Sequence, residues 1–165
     1  ATGTADATTF LRGDNAWAEA GGGKVLQVQK TAYPAQSSYH NTSTWNTTGS
    51  MSVSITPASA SNFILVMSSD SYYLAGNGAA NTSASSAIFE TVSGTMVSYK
   101  YMGHNGAPAS HDPCTMIGVY DPGDTSARTF QTKSYNGGAY YCAPRTTSGP
   151  DSGNIYWIIA LEYEV

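Results

Sequence analysis

A two-residue alternation of apolar and polar side chains restricts the fold of this chain more than any other feature. Met51, Val53 and Ile55 alternate with hydroxyl residues from Ser50 to Thr56. Because successive side chains of a β-strand point to opposite faces, this spacing predicts a strand with an apolar inner face and a polar outer face. Residues 155–165 alternate similarly and predict a strand that ends the chain within the sheet. One face of that strand collects Ile155, Trp157, Ile159, Leu161, Tyr163 and Val165.

Other apolar segments have the length of strands. Residues 63–67 form a continuous apolar run, which predicts a central strand covered on both faces. Ser93 and Gly94 separate two further segments and indicate a tight hairpin turn. Short strands between loops rich in Gly, Asn, Ser and Pro predict an all-β fold, an antiparallel β-sandwich or jelly-roll-like domain. The remaining predicted strands are residues 24–30, 87–92, 95–101, 115–120 and 128–135.

The composition agrees with this class of fold and excludes others. Val, Ile, Leu and Phe make up only 24 of 165 residues, whereas Ser, Thr, Asn and Gly make up 66 and Tyr 12. This mixture is typical of β-proteins and excludes helical bundles and coiled coils. Charged residues are 11%, too few for an intrinsically disordered chain. We expect one main domain at residues 24–165, preceded by a short extended neck at residues 1–23 that closes with three glycines.

Charge and hydropathy exclude two classes of partner. The seven Lys and Arg residues are scattered singly, so no basic stripe is present to neutralise a phosphate backbone. We therefore expect no nucleic-acid binding. The longest apolar runs are much shorter than the roughly 20 residues of a membrane-spanning helix, and we expect no membrane insertion.

Several segments occur in an order that resembles one family. TFLRGDNAW at residues 9–17 is similar to the FLRGDGxW-type signature that precedes the C-terminal domain of bacteriophage tail fibres and related virion appendage proteins. Within it, Gly13, Asp14 and Asn15 predict a turn between two short extended pieces. The later segments similar to those of the fibre tips are GKVLQV at residues 23–28, SITPASASN at 54–62, DPGDTSA at 121–127 and IIALE at 158–162.

The resemblance implies a homotrimeric structural protein of the virion that faces the exterior. Its tip would adhere to the bacterial host, with a cell-surface glycan or an outer-membrane protein as receptor. Asn62 and Phe63 depart from the family pattern, which there more often has a small polar residue and Lys. Residues 104–114 and 136–153 match no part of the family pattern, and we predict that they are specificity loops. The candidate receptor-binding residues in these loops are His104, Asn105, His111, Asp112, Asn136, Tyr140, Tyr141 and Arg145.

The sequence predicts no catalytic residues and no cofactor. No serine lies in a Gly-x-Ser-x-Gly elbow, and the acidic residues stand in ordinary turn contexts. No standard metal-ligand spacing is matched by His104, His111, Asp112 and Cys114, so no metal is predicted. A metal site formed by one His from each of three chains on a three-fold axis stays an open alternative. Cys114 and Cys142 allow a disulfide or two separate thiols, and we prefer the thiols.

Aromatic residues in polar segments favour carbohydrate recognition, because the C–H faces of sugars stack on rings. The alternative is burial within the sandwich or a trimer interface, which we prefer for Tyr72 and Tyr73. A lectin-like module or capsid decoration protein is therefore an alternative to the fibre tip, and a polysaccharide depolymerase is a third hypothesis. The aromatic groups are Tyr39, His40 and Trp45, then Tyr72 and Tyr73, then Tyr135, Tyr140 and Tyr141.

Overall fold

A computed structural model describes residues 9–11, 13, 17–19, 24–34, 44–47, 51–75, 82–104, 109–136, 141–144 and 155–164. This part of the chain contains eleven β-strands and no helix. In chain order they are β1 (Thr9–Leu11), β2 (Trp17–Glu19), β3 (Val25–Pro34), β4 (Ser52–Ile55), β5 (Phe63–Ala75), β6 (Thr82–Glu90), β7 (Met96–His104), β8 (Ala109–Tyr120), β9 (Arg128–Asn136), β10 (Tyr141–Pro144) and β11 (Ile155–Tyr163).

Nine of these strands form two antiparallel sheets. In the five-stranded sheet, β5 pairs with β8 along one edge and with both β11 and β10 along the other, and β3 lies outside β11. The four-stranded sheet has the order β4, β9, β6, β7. The predicted all-β, antiparallel sandwich is confirmed. The strands β1 and β2 form a separate antiparallel pair in which Leu11 faces Trp17, in agreement with two extended pieces joined by a turn.

The core lies between the two sheets, where the period-two pattern places it. Met51, Val53 and Ile55 are buried, as their alternation predicts. They belong to one cluster with residues of the five-stranded sheet, among them Ile64 and Ile158. Since each sheet has one face in this cluster, inward positions recur every second residue along each strand.

The strand β5 differs from its prediction as a strand covered on both faces. Ile64 and Val66 are fully buried, but Phe63, Leu65 and Met67 are only half-buried. The physical reason is that the four-stranded sheet packs on one side of β5 only. The continuous apolar run therefore contains an inner row and an outer row.

The prediction of a loop at residues 104–114 is wrong for most of its length. Residue 104 ends β7, and β8 already begins at Ala109, so Pro113 lies within a strand opposite Ser71. Among the described strands, β8 is an edge strand bonded only to β5, and proline is tolerated there because an outward-facing edge position requires no N–H donor. Similarly, β10 lies within the predicted loop at 136–153.

A close approach between β7 and β8 closes one side of the sandwich. The Ser98 hydroxyl donates to the carbonyl oxygen of Ile117 at 3.0 Å. A Cβ atom at Gly118 would lie 2.4 Å from the carbonyl oxygen of Val97, so only glycine fits at this crossing. The contact also covers part of the free edge of β8, which limits pairing with other chains there.

The two ends of the sandwich differ in their connections. The turn end contains residues 56–62, 91–95 and 121–127, all of them described, and β3 starts there because Val25 faces Tyr163. The opposite end of the sandwich is called the loop end, and there Ala75 pairs with Ala109 of β8 and with Tyr141 of β10. The strand ends at the loop end are joined by residues 35–51, 76–81, 105–108, 137–140 and 145–154, most of which lie outside the described residues.

Candidate functional site

The strand register gathers five of the eight predicted receptor-binding residues at the loop end. In the four-stranded sheet, His104 ends β7 opposite Thr82, and Asn136 ends β9 opposite Ala84. Because β6 lies between β7 and β9, these two positions flank one central strand. Neither position is in a loop interior, since each is the last residue of its strand.

The other three placed residues belong to the five-stranded sheet. His111 and Asp112 lie on β8 opposite Tyr73 and Tyr72, and Tyr141 begins β10 opposite Ala75. The strands β8 and β10 flank β5, so they are about 10 Å apart. His111 and Asp112 are therefore strand residues, contrary to their prediction as loop residues. Asn105, Tyr140 and Arg145 lie outside the described residues.

The interior below the loop end is polar, which the sequence pattern did not indicate. Ser68, Asp70, Ser86 and Ser134 are buried there, whereas the positions nearer the turn end are mainly apolar. The Ser68 hydroxyl has no hydrogen-bond partner among the described residues. A buried hydroxyl without a partner destabilises a fold. The interior towards the loop end therefore combines buried polar side chains with apolar ones such as Ala84 and Tyr156.

Cys114 lies within this polar interior and is a free, fully buried thiol. Burial raises the pKa of the Cys114 thiol to about 11, against smaller lowering effects of Ser86 and Lys100. Because the thiolate is the reactive form, this cysteine is a poor nucleophile at neutral pH.

The register separates the two cysteines. Cys114 faces Asp70 from one side of β5, and Cys142 faces Leu74 from the other. Two strand spacings and four residues of rise place their Cα atoms about 16 Å apart, far beyond the ~7 Å limit of a disulfide. The structure therefore agrees with the preferred interpretation of two separate thiols.

Within the described residues, no group of three or more His, Cys, Asp and Glu side chains is placed to hold a metal ion. The backbone register separates His104 from His111 and Asp112, since the first belongs to the four-stranded sheet and the others to the five-stranded sheet. Their side chains lie outside the described residues, so the possibility of a metal on a three-fold axis stays a prediction.

The outer face of the four-stranded sheet bears an aromatic patch, defined here as Trp45, Phe89, Tyr99, Tyr101 and Tyr135. The ring centroid of Trp45 lies 5.2 Å from that of Phe89 and 5.6 Å from that of Tyr135. Phe89 is buried below these rings, while Tyr99 and Tyr101 are 52% and 59% exposed. Trp45 therefore packs on the outer side of the four-stranded sheet and not within the sandwich, and the two exposed tyrosines remain accessible to a ligand.

At the turn end, a buried carboxylate connects three parts of the chain. Glu162 accepts hydrogen bonds from the Ala58 N–H at 2.7 Å, from Asn62 Nδ2 at 2.6 Å and from Gln27 Nε2. Burial acts to raise the pKa of Glu162, but the hydrogen bonds from Asn62, Gln27 and the backbone outweigh it, and the pKa is lowered. The side chain is fully buried and charged at neutral pH.

A second carboxylate holds the β6–β7 turn. Glu90 accepts hydrogen bonds from the Ser93 N–H and hydroxyl, each at 2.6 Å, and from the Val92 N–H at 3.1 Å. Burial acts to raise its pKa, but the hydrogen bonds from Ser93 and Val92 lower it overall. Gly94 follows with a φ of 72°, a conformation that favours glycine, so the predicted hairpin turn at Ser93 and Gly94 is confirmed.

The third turn at this end, residues 121–127, is held by its own acidic residues and by Arg128. Asp121 accepts from the Gly123 N–H, and Asp124 accepts from the Ser126 N–H and pairs with Arg128 at 2.7 Å. The pKa of Asp124 is lowered mainly by the hydrogen bond from Ser126. The turn therefore holds itself through Asx hydrogen bonds, as its Asp-, Gly- and Ser-rich sequence favours.

Four of the segments on which the predicted family resemblance depends contribute residues to the turn end. Gln27 comes from GKVLQV, Ala58 comes from SITPASASN, and Glu162 closes IIALE, whereas Asn62 is one of the two positions that depart from the family pattern. All four residues belong to one hydrogen-bond cluster. DPGDTSA forms the neighbouring turn at residues 121–127. The described parts of residues 104–114 and 136–153, which match no part of the predicted family pattern, lie at the opposite end.

Comparison with known proteins gives no assignment: the chain matches no protein-family model, and no curated protein matches it significantly. In the part of the chain that the structure describes, no helix is long and apolar enough to cross a membrane.

Proposed function

We propose that this chain is the receptor-binding tip of a bacteriophage tail fibre or comparable virion appendage. In this proposal it is a homotrimer that faces the exterior and adheres to a glycan or an outer-membrane protein of the bacterial host, without catalysis. The observation on which the proposal depends is the separation of the two ends. Segments that resemble the fibre family build the turn end, and segments that match nothing in it meet at the loop end.

The strand order supports a jelly roll as the finer description of the fold. From β3 onward, with β10 and β11 counted as one strand interrupted by residues 145–154, the chain provides eight strands. The first pairs with the eighth, the second with the seventh, the third with the sixth and the fourth with the fifth. This nested pairing is the jelly-roll order, which is common in viral capsid and lectin domains.

The geometry supports adhesion through the loop end. The strand β3 begins at the turn end, because Val25 pairs with Tyr163 there. The chain therefore enters the sandwich at the end opposite the loop end. Three copies of a weak site on one trimer, and several trimers on one virion, would supply avidity through effective concentration.

The test uses the purified chain, labelled with a fluorophore, and a panel of Gram-negative strains. We expect adsorption to some strains without release of soluble oligosaccharide from their surface polysaccharide. Tyr141→Ala and His111→Ala should weaken adsorption at least tenfold, whereas the turn-end control Val92→Ala should not change it. Equal effects of loop-end and turn-end variants would refute adhesion through the loop end, and released oligosaccharide would favour a depolymerase.

A lectin-like module outside the tail is the second candidate, and the aromatic patch favours it. Tyr99 and Tyr101 are two residues apart on β7, so their exposed rings lie on one face about 7 Å apart. Sugars stack on such rings. If Tyr101→Ala abolishes binding to a glycan array and the loop-end variants do not, the aromatic patch is the binding site.

A further inference from the structure

The outward side of the five-stranded sheet is mainly apolar in its central rows. One row of cross-strand neighbours is Val28, Leu161, Leu65 and Val119. The next row is Lys30, Ile159, Met67 and Ile117. These eight residues define the outer face. Ile117, Val119 and Val28 are 59%, 55% and 53% exposed, and Leu161, Leu65, Ile159 and Met67 are half-buried.

Apolar side chains continue beyond the two rows of the outer face. Phe63 and Tyr163 stack in the row towards the turn end with ring centroids 5.9 Å apart, and Trp157 occupies the row towards the loop end. Four strands of ~4.8 Å spacing and four rows of ~6.6 Å spacing give about 500 Å² in the plane of the sheet. Two whole faces packed together would bury about 1,000 Å², the lower limit for a specific protein interface, and three faces that meet around a three-fold axis would bury about 1,500 Å² in the whole trimer.

The chemistry of the outer face favours protein as its occupant. Its exposed side chains are mainly aliphatic, with Lys30 as the single charge of the eight, whereas sugar sites combine aromatic rings with polar groups. The largest contiguous apolar patch on a typical soluble monomer is about 300–600 Å² and is often functional, and the outer face is within this range. Among the described strands, β3 is also bonded only to β11, so a long strand with exposed Val25 and Val28 forms the adjoining sheet edge.

We propose that the outer face is the surface through which copies of this chain associate. The inference depends on the proposed function only for the number of copies, three. In a closed ring of three, each interface joins two different patches. The outer face supplies two: Ile117 and Val119 at the β8 side, and Val28 at the β3 side. The β8 side of one copy packs against the β3 side of the next, and the central rows meet near the three-fold axis.

The experiment measures the oligomeric state of the chain at 20 µM by light scattering and native mass spectrometry. Ile117→Lys and Val119→Lys each place a charge within the outer face at a position more than half exposed, so the fold of each chain is expected to survive. The matched control is Val92→Lys, because Val92 is 78% exposed in the turn at residues 91–95, away from the outer face. Circular dichroism of each variant checks that the β-structure is retained.

We expect a trimer for the wild type and for Val92→Lys, and monomers for the two outer-face variants. A wild-type monomer, or a trimer that persists in both outer-face variants, would overturn the proposal. So would a wild-type monomer that floats with phosphatidylcholine vesicles, since the face would then bind lipid. A dimer dissociated by the same substitutions supports the outer face as the interface but refutes the trimer of the proposed function. A trimer that adheres to no strain refutes adhesion alone.

Discussion

Substitution of the buried carboxylate at the turn end gives the sharpest test of how this fold is held. Glu162→Gln keeps the shape of the side chain and removes its charge. Charge-assisted hydrogen bonds contribute about 1.5–3 kcal/mol each and neutral ones about 0.5–1.5 kcal/mol. The one amide oxygen of Gln can still accept from Ala58 and Asn62, and each of these two bonds should lose about 1 kcal/mol. The amide NH2 group would face the donating Nε2 of Gln27, so the third bond, worth about 2 kcal/mol, is lost, and the total loss of unfolding free energy is about 4 kcal/mol.

The pH dependence of this loss follows from the lowered pKa of Glu162. Because the carboxylate binds its proton less readily in the folded state, it stabilises the fold fully above its unfolded pKa, near 4.5. That contribution is lost as the pH falls through the lower folded pKa. The difference between wild type and Glu162→Gln should thus be largest at pH 7 and shrink below about pH 4.5. Glu90 and Asp124, whose pKa values are also lowered, are present in both proteins and cancel in the difference.

The assay is urea unfolding, followed by tryptophan fluorescence at pH 7, 5 and 3.5 and at one fixed protein concentration. The fixed concentration is needed because association stabilises folded copies by mass action. Glu164→Gln is the matched control: Glu164 is exposed, and its substitution should change the unfolding free energy by less than about 0.5 kcal/mol. A Glu162→Gln protein as stable as the wild type at pH 7, or a difference independent of pH, would refute the reasoning.

Three further predictions address the crossing, the cysteines and the aromatic patch. Gly118→Ala should cost about 3 kcal/mol or more in urea unfolding, because its Cβ would meet the Val97 carbonyl oxygen at 2.4 Å; a stability equal to wild type would contradict this crossing. Mass spectrometry without reductant should show no loss of two hydrogens, and Cys114 should react with iodoacetamide at pH 8 only after unfolding. A mass lower by 2 Da would show that Cys114 and Cys142 pair. Trp45→Ala should lower the unfolding free energy by about 2 kcal/mol, less than for a fully buried tryptophan, and an unchanged midpoint would show that Trp45 does not cover the sheet.

The periodicity of the sequence predicted the strands well because it reports which side chains face the core. The predicted strands at 51–55, 95–101 and 128–135 agree with β4, β7 and β9 within a few residues. Strands whose sequence contains proline were harder to predict. Residues 104–114 and 136–153 were predicted to be loops, yet they contain Pro113 in the edge strand β8 and Pro144 at the end of β10, and both positions tolerate a missing N–H.

The burial of Glu162 could not be predicted from local pattern. In the alternation of β11 it shares a face with Ile158 and Ala160, which is the inner face, although the opposite face bears the larger apolar side chains. A charge is tolerated there because its partners come from residues 27, 58 and 62, far away in sequence. Such long-range compensation has no periodic signature.

The scarcity of aliphatic residues acquires a physical meaning once both faces of the five-stranded sheet are considered. The chain has only 24 Val, Ile, Leu and Phe residues, yet several of them lie on the outer face rather than in the core. The core between the sheets has correspondingly few aliphatic side chains, and towards the loop end it includes Ser, Asp and Cys. A monomer would have to fold on this partly polar core while exposing aliphatic side chains to water, which lowers the net gain from burial. If copies meet through the outer face, the same residues form a second apolar layer, so association and folding stabilise each other. The turn-end carboxylate clusters fix the strands independently of that layer, and the loop end can change in sequence without disturbing either.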